Sequence, residues 1–282
     1  MTVLSEFRIL GSWCKGEARF YEGSAVPPEL DSCIALVRKT TAPPRSQDVA
    51  NLRDLVKKYE QCQGRKNDAP DRVLRMQKIA GGGTLTDLMF DDFDLDSLGG
   101  MVYDLRVGTE AYISSGKNTI RLGQEAGKKD IVTIRPGDFA IIMTLEYVAL
   151  PPDLMGFISV RMRYKRQGLV NISGFHVDPG FHGRIMFAVY NAGPKNLALR
   201  YKDRVFMMLF ANVEDGLPTP GGPNMGQTSI PADVISDLSG PSVSPRSLDE
   251  RLSRLEQIFY IVAIPTVITV VGVVIAFLLG MR

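Results

Sequence analysis

The order of apolar and polar positions divides this chain into segments, and the clearest of them lies near its carboxyl end. Residues 258–279 are apolar or neutral throughout. About twenty such residues, rising 1.5 Å each, cross the roughly 30 Å hydrocarbon core of a bilayer. The pattern therefore predicts a transmembrane helix over residues 258–280, in which Pro265 is tolerated where the freed backbone groups find other partners. A buried core helix is disfavoured because core helices seldom run this long without a charge.

Short apolar runs separated by Gly, Pro, Asn and Asp fill residues 103–210. The most apolar of them read FAIIMTLEYVAL, GFISVRM, GRIMFAVYN and RVFMMLFANV. Many short strands joined by regular turn signals are typical of a compact antiparallel sandwich or barrel. We therefore predict a mainly β fold, with a β domain over residues 76–213.

The segments on either side of the β domain have different patterns. Residues 1–75 form a less regular extension in which residues 47–61 place apolar side chains at helical spacing, so we predict a partly helical extension. Residues 214–246 are rich in Pro, Gly and Ser, which predicts a linker or a mobile flap. Residues 247–257 are predicted to form a helical neck with an apolar stripe of Leu248, Leu252, Leu255 and Phe259. The stripe predicts either a joint between subunits or only the interfacial start of the span, since it covers little more than one heptad.

Charge and cysteine content narrow the class of protein. The 282 residues carry 33 Lys and Arg against 31 Asp and Glu, so a surface that coats nucleic acid is not indicated and no nucleic-acid partner is expected. Any anionic ligand would have to be held by a local cluster of cations. Cys14, Cys33 and Cys62 are widely spaced, which favours reduced thiols over a disulfide framework or a zinc site.

The residues that flank the globular part predict its topology. Residues 1–11 include a glutamate and an arginine and lack the apolar run of a signal peptide, so we expect the body to face the cytoplasm, held by one C-terminal tail anchor. Arg251 and Arg254 just before the span agree with the positive-inside rule, although Arg282 follows the span.

Six ordered motifs lie within residues 103–210. They read YDLRVG, TLEYVALPPDLMGFISVR, RQGL, VDPGFHG, VYNAG and RVFMMLF, with a weaker echo upstream in FDDFDLDSLGG. Together they resemble the dCTP deaminase and dUTPase superfamily. The resemblance implies a distorted β-barrel or jelly roll of the dUTPase-like type, a homotrimer with nucleotide sites between subunits, and no metal or other cofactor.

The resemblance also points to the position that carries deaminase chemistry. Deaminases of this kind use a glutamate as general acid and base on the strand that follows the DPG turn, and here that position is Ala188. Removing a positioned general acid or base typically lowers the rate by about 10²–10⁴. A slip of one residue reaches only Phe187 or Val189, which are equally inert. We therefore expect ordinary deamination to be lost, as in a pseudoenzyme.

A run of cations occupies the block where the resemblance places phosphate groups. The family pattern is close to R-S-S-L-A-R-x-G-L, whereas this chain reads RMRYKRQGL from Arg161 onward. Arg161 and Arg166 match the pattern, while Arg163 and Lys165 are additional cations. Because guanidinium groups offer a planar fork to phosphate oxygens, we predict that these four residues hold a polyphosphate or another multiply anionic ligand. The alternative is a solvated basic loop.

The DPG turn and the flap supply three further candidates. The resemblance places Asp178 beside the deoxyribose, where it would also be the catalytic residue of an active dUTPase-type enzyme, with Phe181 against the sugar. Alternatively, Asp178 only stabilises its own turn. Gln227 echoes a family segment that folds over bound nucleotide. His176 and His182 flank the turn, but the sequence offers no evident third ligand, so we predict no metal.

Three interpretations remain open from the sequence. The first is a membrane-anchored nucleotide-binding protein without normal catalysis, a sensor or effector whose setting could be a stress or anti-phage response. The second is an active membrane-tethered enzyme that deaminates or hydrolyses a deoxypyrimidine triphosphate. The third is a scaffold that has kept the trimer and lost the ligand.

Overall fold

The computed structural model describes residues 2–21, 25–40, 43–62, 69–82, 85–116, 118–123, 130–214, 225–238 and 245–280. The chain forms two compact units, Met1–Ser239 and Gly240–Arg282. The predicted linker or flap over residues 214–246 is covered only in part, because residues 215–224 and 239–244 lie outside the described ones. The predicted domain boundaries stay predictions.

Helices precede the sheet and bury their apolar faces against it. Their bounds are α1 Glu6–Ala18, α2 Pro28–Lys39, α3 Ser46–Cys62 and α4 Ala69–Gly82. The helix predicted over residues 47–61 is confirmed as α3. Trp13 of α1 and Leu52 of α3 are buried in one cluster with residues of the sheet such as Phe90. The helices and the sheet therefore share a hydrophobic core.

The described residues of the same unit also form β-strands. Their bounds are β1 Thr2–Val3, β2 Met89–Asp91, β3 Leu98–Gly99, β4 Val102–Ile113, β5 Ile120–Arg121, β6 Ile131–Ile134, β7 Phe139–Ala149, β8 Leu154–Val160, β9 Leu169–Asn171, β10 His176–Val177, β11 His182–Asn191, β12 Leu197–Arg200 and β13 Arg204–Asn212. The four apolar runs read from the sequence are confirmed as β7, β8, β11 and β13.

The strands form a curled antiparallel sheet. Hydrogen-bonded neighbours follow the order β10, β8, β13, β4, β7, β11, β9, and β12 pairs separately with β6. β4 joins the two halves of the sheet, because residues 102–106 pair with β13 whereas residues 107–113 pair with β7 across a bulge. This bend wraps the sheet around its core as a half-barrel. The predicted mainly β fold is confirmed.

The remaining helices are two short ones in the first unit and one continuous helical segment in the second. α5 is Met162–Lys165 and α6 is Ala232–Leu238, and the second unit contains α7 Pro245–Ile258, a π-helical turn Phe259–Ala263 and α8 Ile264–Gly280. A π turn just before Pro265 is consistent with the missing N–H of proline, which leaves an earlier carbonyl without its usual donor. Thr266 Oγ1 donates to the Val262 carbonyl at 2.6 Å.

The second unit contains a segment with the length and composition of a membrane span. Within the helix Arg251–Gly280, the mean hydropathy reaches 2.8 over eighteen residues. Most of the apolar side chains in its carboxyl-terminal part are exposed. Such length and hydropathy suffice to cross a bilayer. The predicted anchor itself stays a prediction.

Candidate functional site

Ala188 lies in the middle of β11, on the face of the strand that points away from the main core. Alternate residues Ile185, Phe187 and Val189 are buried, while Ala188 is half-buried. Its cross-strand neighbour on β7 is Ile141. The Ala188 carbonyl accepts hydrogen bonds from the backbone N–H groups of residues 172 and 173, at 2.9 and 3.2 Å. None of these immediate neighbours has an ionisable side chain, so they supply no proton carrier.

An apolar cluster covers part of the same face. Its buried members are Tyr112, Ile141, Met143 and Ile230, and the residues packed against them are Met186, Val234, Ile235 and Leu238. The last three belong to α6, so a segment of the predicted flap lies on the outer face of β4, β7 and β11. The Ile230 N–H donates to Glu110 Oε2 at 3.0 Å and fixes the entry to α6. Sequence reasoning missed this helix, although Pro231 just before it is a signal for a helix start.

Gln227 lies beside the first residues of β11. The Arg184 N–H donates to the Gln227 carbonyl at 2.7 Å, the Gly226 N–H donates to the His182 carbonyl at 2.7 Å, and Gly183 and Gln227 form a parallel bridge. The Gln227 side chain donates to the Arg184 carbonyl at 3.4 Å. The predicted role of Gln227 over a nucleotide stays a prediction. In this structure, Gln227 extends the backbone hydrogen bonding at the beginning of β11.

The four predicted cations lie in and around α5. Arg161 Nη1 is 3.1 Å from Asp104 Oδ2 on β4, and Lys165 Nζ donates to Ser159 Oγ at 2.8 Å. Arg163 and Arg166 are exposed, with the Arg163 guanidinium 5.8 Å from the ring centre of Tyr164. Arg161 and Lys165 are thus held by protein groups, whereas Arg163 and Arg166 present their guanidinium groups to solvent.

A contact between two glycines holds this basic loop against the end of β11. Gly168 has φ of +97°, and a Cβ atom there would overlap the backbone of Gly193. The Ala192 N–H donates to the Gly168 carbonyl at 2.9 Å, and the Asn191 side chain accepts from the Gly193 N–H at 2.9 Å. Only glycine fits such close backbone contact at a positive φ. The basic loop and the turn that follows Asn191, within the motif VYNAG, are therefore one structural unit.

Asp178 and Phe181 lie in the turn before β11. The Phe181 N–H donates to the Asp178 carbonyl at 3.1 Å, so this hydrogen bond of the turn is made by the backbone and does not use the carboxylate. Asp178 Oδ1 is 3.2 Å from His176 Nε2, and the Asp178 side chain is 57% exposed. Phe181 is half-buried and packs against the main core. Asp178 is accessible to a ligand, while Phe181 is partly committed to packing.

The two histidines have different surroundings. His182 is buried and its Nδ1 forms a hydrogen bond of 2.9 Å with the Tyr147 hydroxyl, whereas His176 is exposed beside Asp178. Burial lowers the pKa of His182 below its usual 6.5. Within the described residues, no group of three His, Cys, Asp or Glu side chains is placed to hold a metal ion.

A buried ion pair behind the site joins β4 to β7. Arg106 Nε donates to Glu146 Oε1 at 2.7 Å and the Arg106 N–H donates to Glu146 Oε2 at 2.9 Å, while Glu146 is fully buried. Burial raises the pKa of Glu146 to about 7, and the charge and hydrogen bonds of Arg106 oppose that rise. The two hydrogen bonds favour the ionised carboxylate. Sequence reasoning missed this pair, because the two residues are 40 positions apart and no local signal joins them.

Comparison with known proteins bears on residues 74–213, which match a family model described as dCTP deaminase-like. A dCTP deaminase of Pyrococcus abyssi is 37% identical over 134 residues, which make up 48% of this chain and 82% of that protein. A dCTP deaminase of Pyrococcus horikoshii is 34% identical over 145 residues, 51% of this chain and 88% of that protein. A crystal structure of 2'-deoxycytidine 5'-triphosphate deaminase from Agrobacterium tumefaciens aligns with 17% identity and a TM-score of 0.38, over 51% of this chain and 48% of that one.

Proposed function

This chain belongs to the dCTP deaminase family, and on that premise we propose that it binds a deoxynucleotide, or a related phosphorylated small molecule, without deaminating it. The observation that supports the proposal is that Ala188 lies within β11, at the position that the family resemblance assigns to the glutamate. Its strand contains no carboxylate, and its neighbours on β7 and in residues 172–173 are not ionisable. Without a positioned proton carrier, the deamination rate is expected to fall by about 10²–10⁴.

The exposed cations support a binding role. Arg163 and Arg166 have guanidinium groups in solvent, in the block where the resemblance places the phosphates. Arg161 is fixed by Asp104, and the contact between Gly168 and Gly193 fixes the loop. Preorganised cations lose less conformational entropy when they bind an anion. Asp178 completes the proposed site, since its exposed carboxylate is able to accept a hydrogen bond from a sugar hydroxyl.

The proposal includes assembly and location. The family resemblance supports a homotrimer with sites between subunits, and the length and hydropathy of Arg251–Gly280 support a single-pass anchor, which we propose with the body in the cytoplasm. In this account the protein is a sensor or effector at the membrane. A ligand would switch it only by binding two states with different affinities, for example by ordering the segment that contains α6.

Calorimetry on the full chain in detergent tests the binding role. The wild-type protein is titrated with deoxycytidine, deoxyuridine and deoxyadenosine triphosphates and with the matching ribonucleotides. We expect saturable binding of at least one deoxynucleotide. Heats no larger than those of dilution with every compound would contradict the proposal and favour a scaffold.

A pair of matched substitutions tests the anchor. Replacing both Val270 and Val271 with Lys places two charges in the middle of the span, where each is expected to cost about 2.5–3.5 kcal/mol. Replacing both with Leu keeps the span apolar. We expect the wild-type and leucine proteins to resist alkaline extraction from membranes and the lysine protein to be released. Equal release of all three proteins would contradict anchoring.

Hydrolysis is the second candidate, and the geometry of Asp178 is what favours it. Its carboxylate is 57% exposed and 3.2 Å from His176 Nε2, an arrangement that is able to position a water molecule. In that case deoxyuridine triphosphate would be converted to the monophosphate and pyrophosphate, and Asp178→Asn would abolish the conversion. Chromatography of the titrated samples distinguishes this candidate, because a binding protein returns the triphosphate unchanged.

A further inference from the structure

α7 carries an exposed apolar stripe. Leu252, Leu255 and Phe259 lie three and four residues apart on this helix and the turn that follows it, and they are 56%, 63% and 64% exposed. The residues between them are mainly charged or polar. Spacings of three and four residues place such side chains on one face of a helix, which is the seam by which parallel helices pack together.

The charges beside the stripe complement those of a second copy. With Leu252 and Leu255 as the first and fourth residues of a heptad, Arg251 and Glu256 flank the seam on opposite sides. In parallel helices, a residue at the Arg251 position lies close to the residue five places later on the neighbouring helix. In a parallel pair, Arg251 would therefore lie near Glu256 of the partner subunit, and the two charges are opposite.

The apolar stripe of α7 could be covered by a second copy of the chain or by the membrane surface, and the direction of the helix distinguishes the two. Residues 245–280 are helical without interruption, through the π turn Phe259–Ala263 and into α8. A helix that lies flat on the bilayer surface would have to break before it entered the bilayer. α7 instead continues in the general direction of the proposed span, so Leu252 and Leu255, which precede residue 258, face water unless other copies cover them.

We propose that α7 is a parallel self-association helix, in which further copies of this chain cover Leu252, Leu255 and Phe259 and form ion pairs between Arg251 and Glu256 of the partner subunit. The inference rests on the proposed anchorage, because anchors inserted in the same direction keep the helices parallel. Tethering to one membrane and to one β-domain assembly also raises the effective concentration of the helices. That concentration allows a seam of little more than one heptad to associate, although it would be marginal as a free peptide.

Disulfide crosslinking of the full chain in membranes tests the interface. Leu255→Cys places a thiol in the seam, and Gln257→Cys places one on the far side of the same helix. Thiols link only when their Cα atoms come within about 7 Å. With copper phenanthroline as the oxidant, we expect the Leu255→Cys protein to form a disulfide-linked dimer and the Gln257→Cys protein to form none. The unsubstituted chain measures any background from the native cysteines.

Charge reversal then tests the ion pair. In the Leu255→Cys background, Arg251→Glu brings like charges together and is expected to lower the crosslinked fraction by about twofold. Adding Glu256→Arg restores opposite charges and should restore the fraction. Equal crosslinking at positions 255 and 257, or a double reversal that stays as low as the single one, would overturn the interface.

The same samples separate this inference from the proposed anchor. If the chain resists alkaline extraction but position 255 does not crosslink, the interface fails and the anchor stands. If the chain is extracted but position 255 still crosslinks preferentially, the anchor fails and the interface stands.

Discussion

Ala188 on β11 is paired with Ile141 on β7, so an alanine and an isoleucine lie side by side where the family resemblance places a catalytic glutamate. Ile141 also belongs to the apolar cluster against which α6 packs. The position that the resemblance assigns to the glutamate and the apolar packing of α6 therefore lie on the same face of the sheet. The pairing places Ala188 beside a residue of the cluster against which α6 packs.

Ala188→Glu tests whether the missing carboxylate limits deamination. The substitution puts a general acid and base back on β11, so we expect conversion of deoxycytidine triphosphate to deoxyuridine triphosphate to rise by about 10². We expect the lower end of the usual range because Met162, Arg163 and Lys165 depart from the family pattern around the phosphates. Chromatography of the nucleotides measures the conversion.

Ala188→Gln is the control for that experiment. Glutamine has nearly the same size as glutamate, but its amide neither takes up nor releases a proton near neutral pH, so it should leave turnover at the wild-type level. Equal turnover in the glutamate and glutamine proteins would mean that the carboxylate is not what this site lacks.

Arg166→Ala tests the proposed phosphate contact. Because Arg166 is exposed, its removal should leave the thermal unfolding midpoint unchanged. A lost charge-assisted hydrogen bond is expected to weaken triphosphate binding about tenfold. Lys57→Ala removes an exposed cation from α3 and should leave the affinity unchanged. If both variants weakened binding equally, the effect would be one of general charge, and the assignment of Arg166 would be wrong.

Gly168→Ala tests the contact that holds the basic loop. At φ of +97° and against the Gly193 backbone, a methyl group should cost roughly 1–3 kcal/mol of the free energy of unfolding. Gly174→Ala is the matched control, because the nearest atom to a Cβ there is the His176 carbonyl oxygen at 3.9 Å. Chemical denaturation measures both variants. Equal stability of the two proteins would contradict the close contact.

His182 predicts a dependence of stability on pH. Burial lowers its pKa in the folded state, so below about pH 6.5 the unfolded chain takes up a proton that the folded chain excludes. His182 therefore contributes stability above that pH, and the contribution is lost as the pH falls through the folded pKa. We expect the thermal midpoint of His182→Gln to change less on acidification than that of the wild type. A larger change in the variant would contradict the assignment.

The strands and α3 could be predicted because their signals are local. FAIIMTLEYVAL and GRIMFAVYN carry the composition and length of buried strands, and residues 47–61 carry a helical period. The identification of Ala188 also came from one short motif. These signals depend on neighbouring positions in the sequence and not on the arrangement of the sheet.

Other parts of the site depend on contacts between distant positions. Arg161 pairs with Asp104 and Arg106 pairs with Glu146, and no pattern in the sequence specifies either partner. α6 has only seven residues in a segment rich in Gly, Pro and Ser, so its docking depends on the apolar face formed by Tyr112, Ile141 and Met143. Tertiary packing therefore decides which of the predicted cations remain available to a ligand.

Binding without turnover is tested most directly by saturating the wild-type full chain with the deoxynucleotide that it binds and following that nucleotide by chromatography. We expect calorimetry to give a saturable binding curve while the nucleotide is recovered unchanged, with no deaminated or hydrolysed product above the protein-free control. Stoichiometric binding accompanied by many turnovers of deoxycytidine triphosphate to deoxyuridine triphosphate would contradict the assignment of Ala188 and identify an active enzyme.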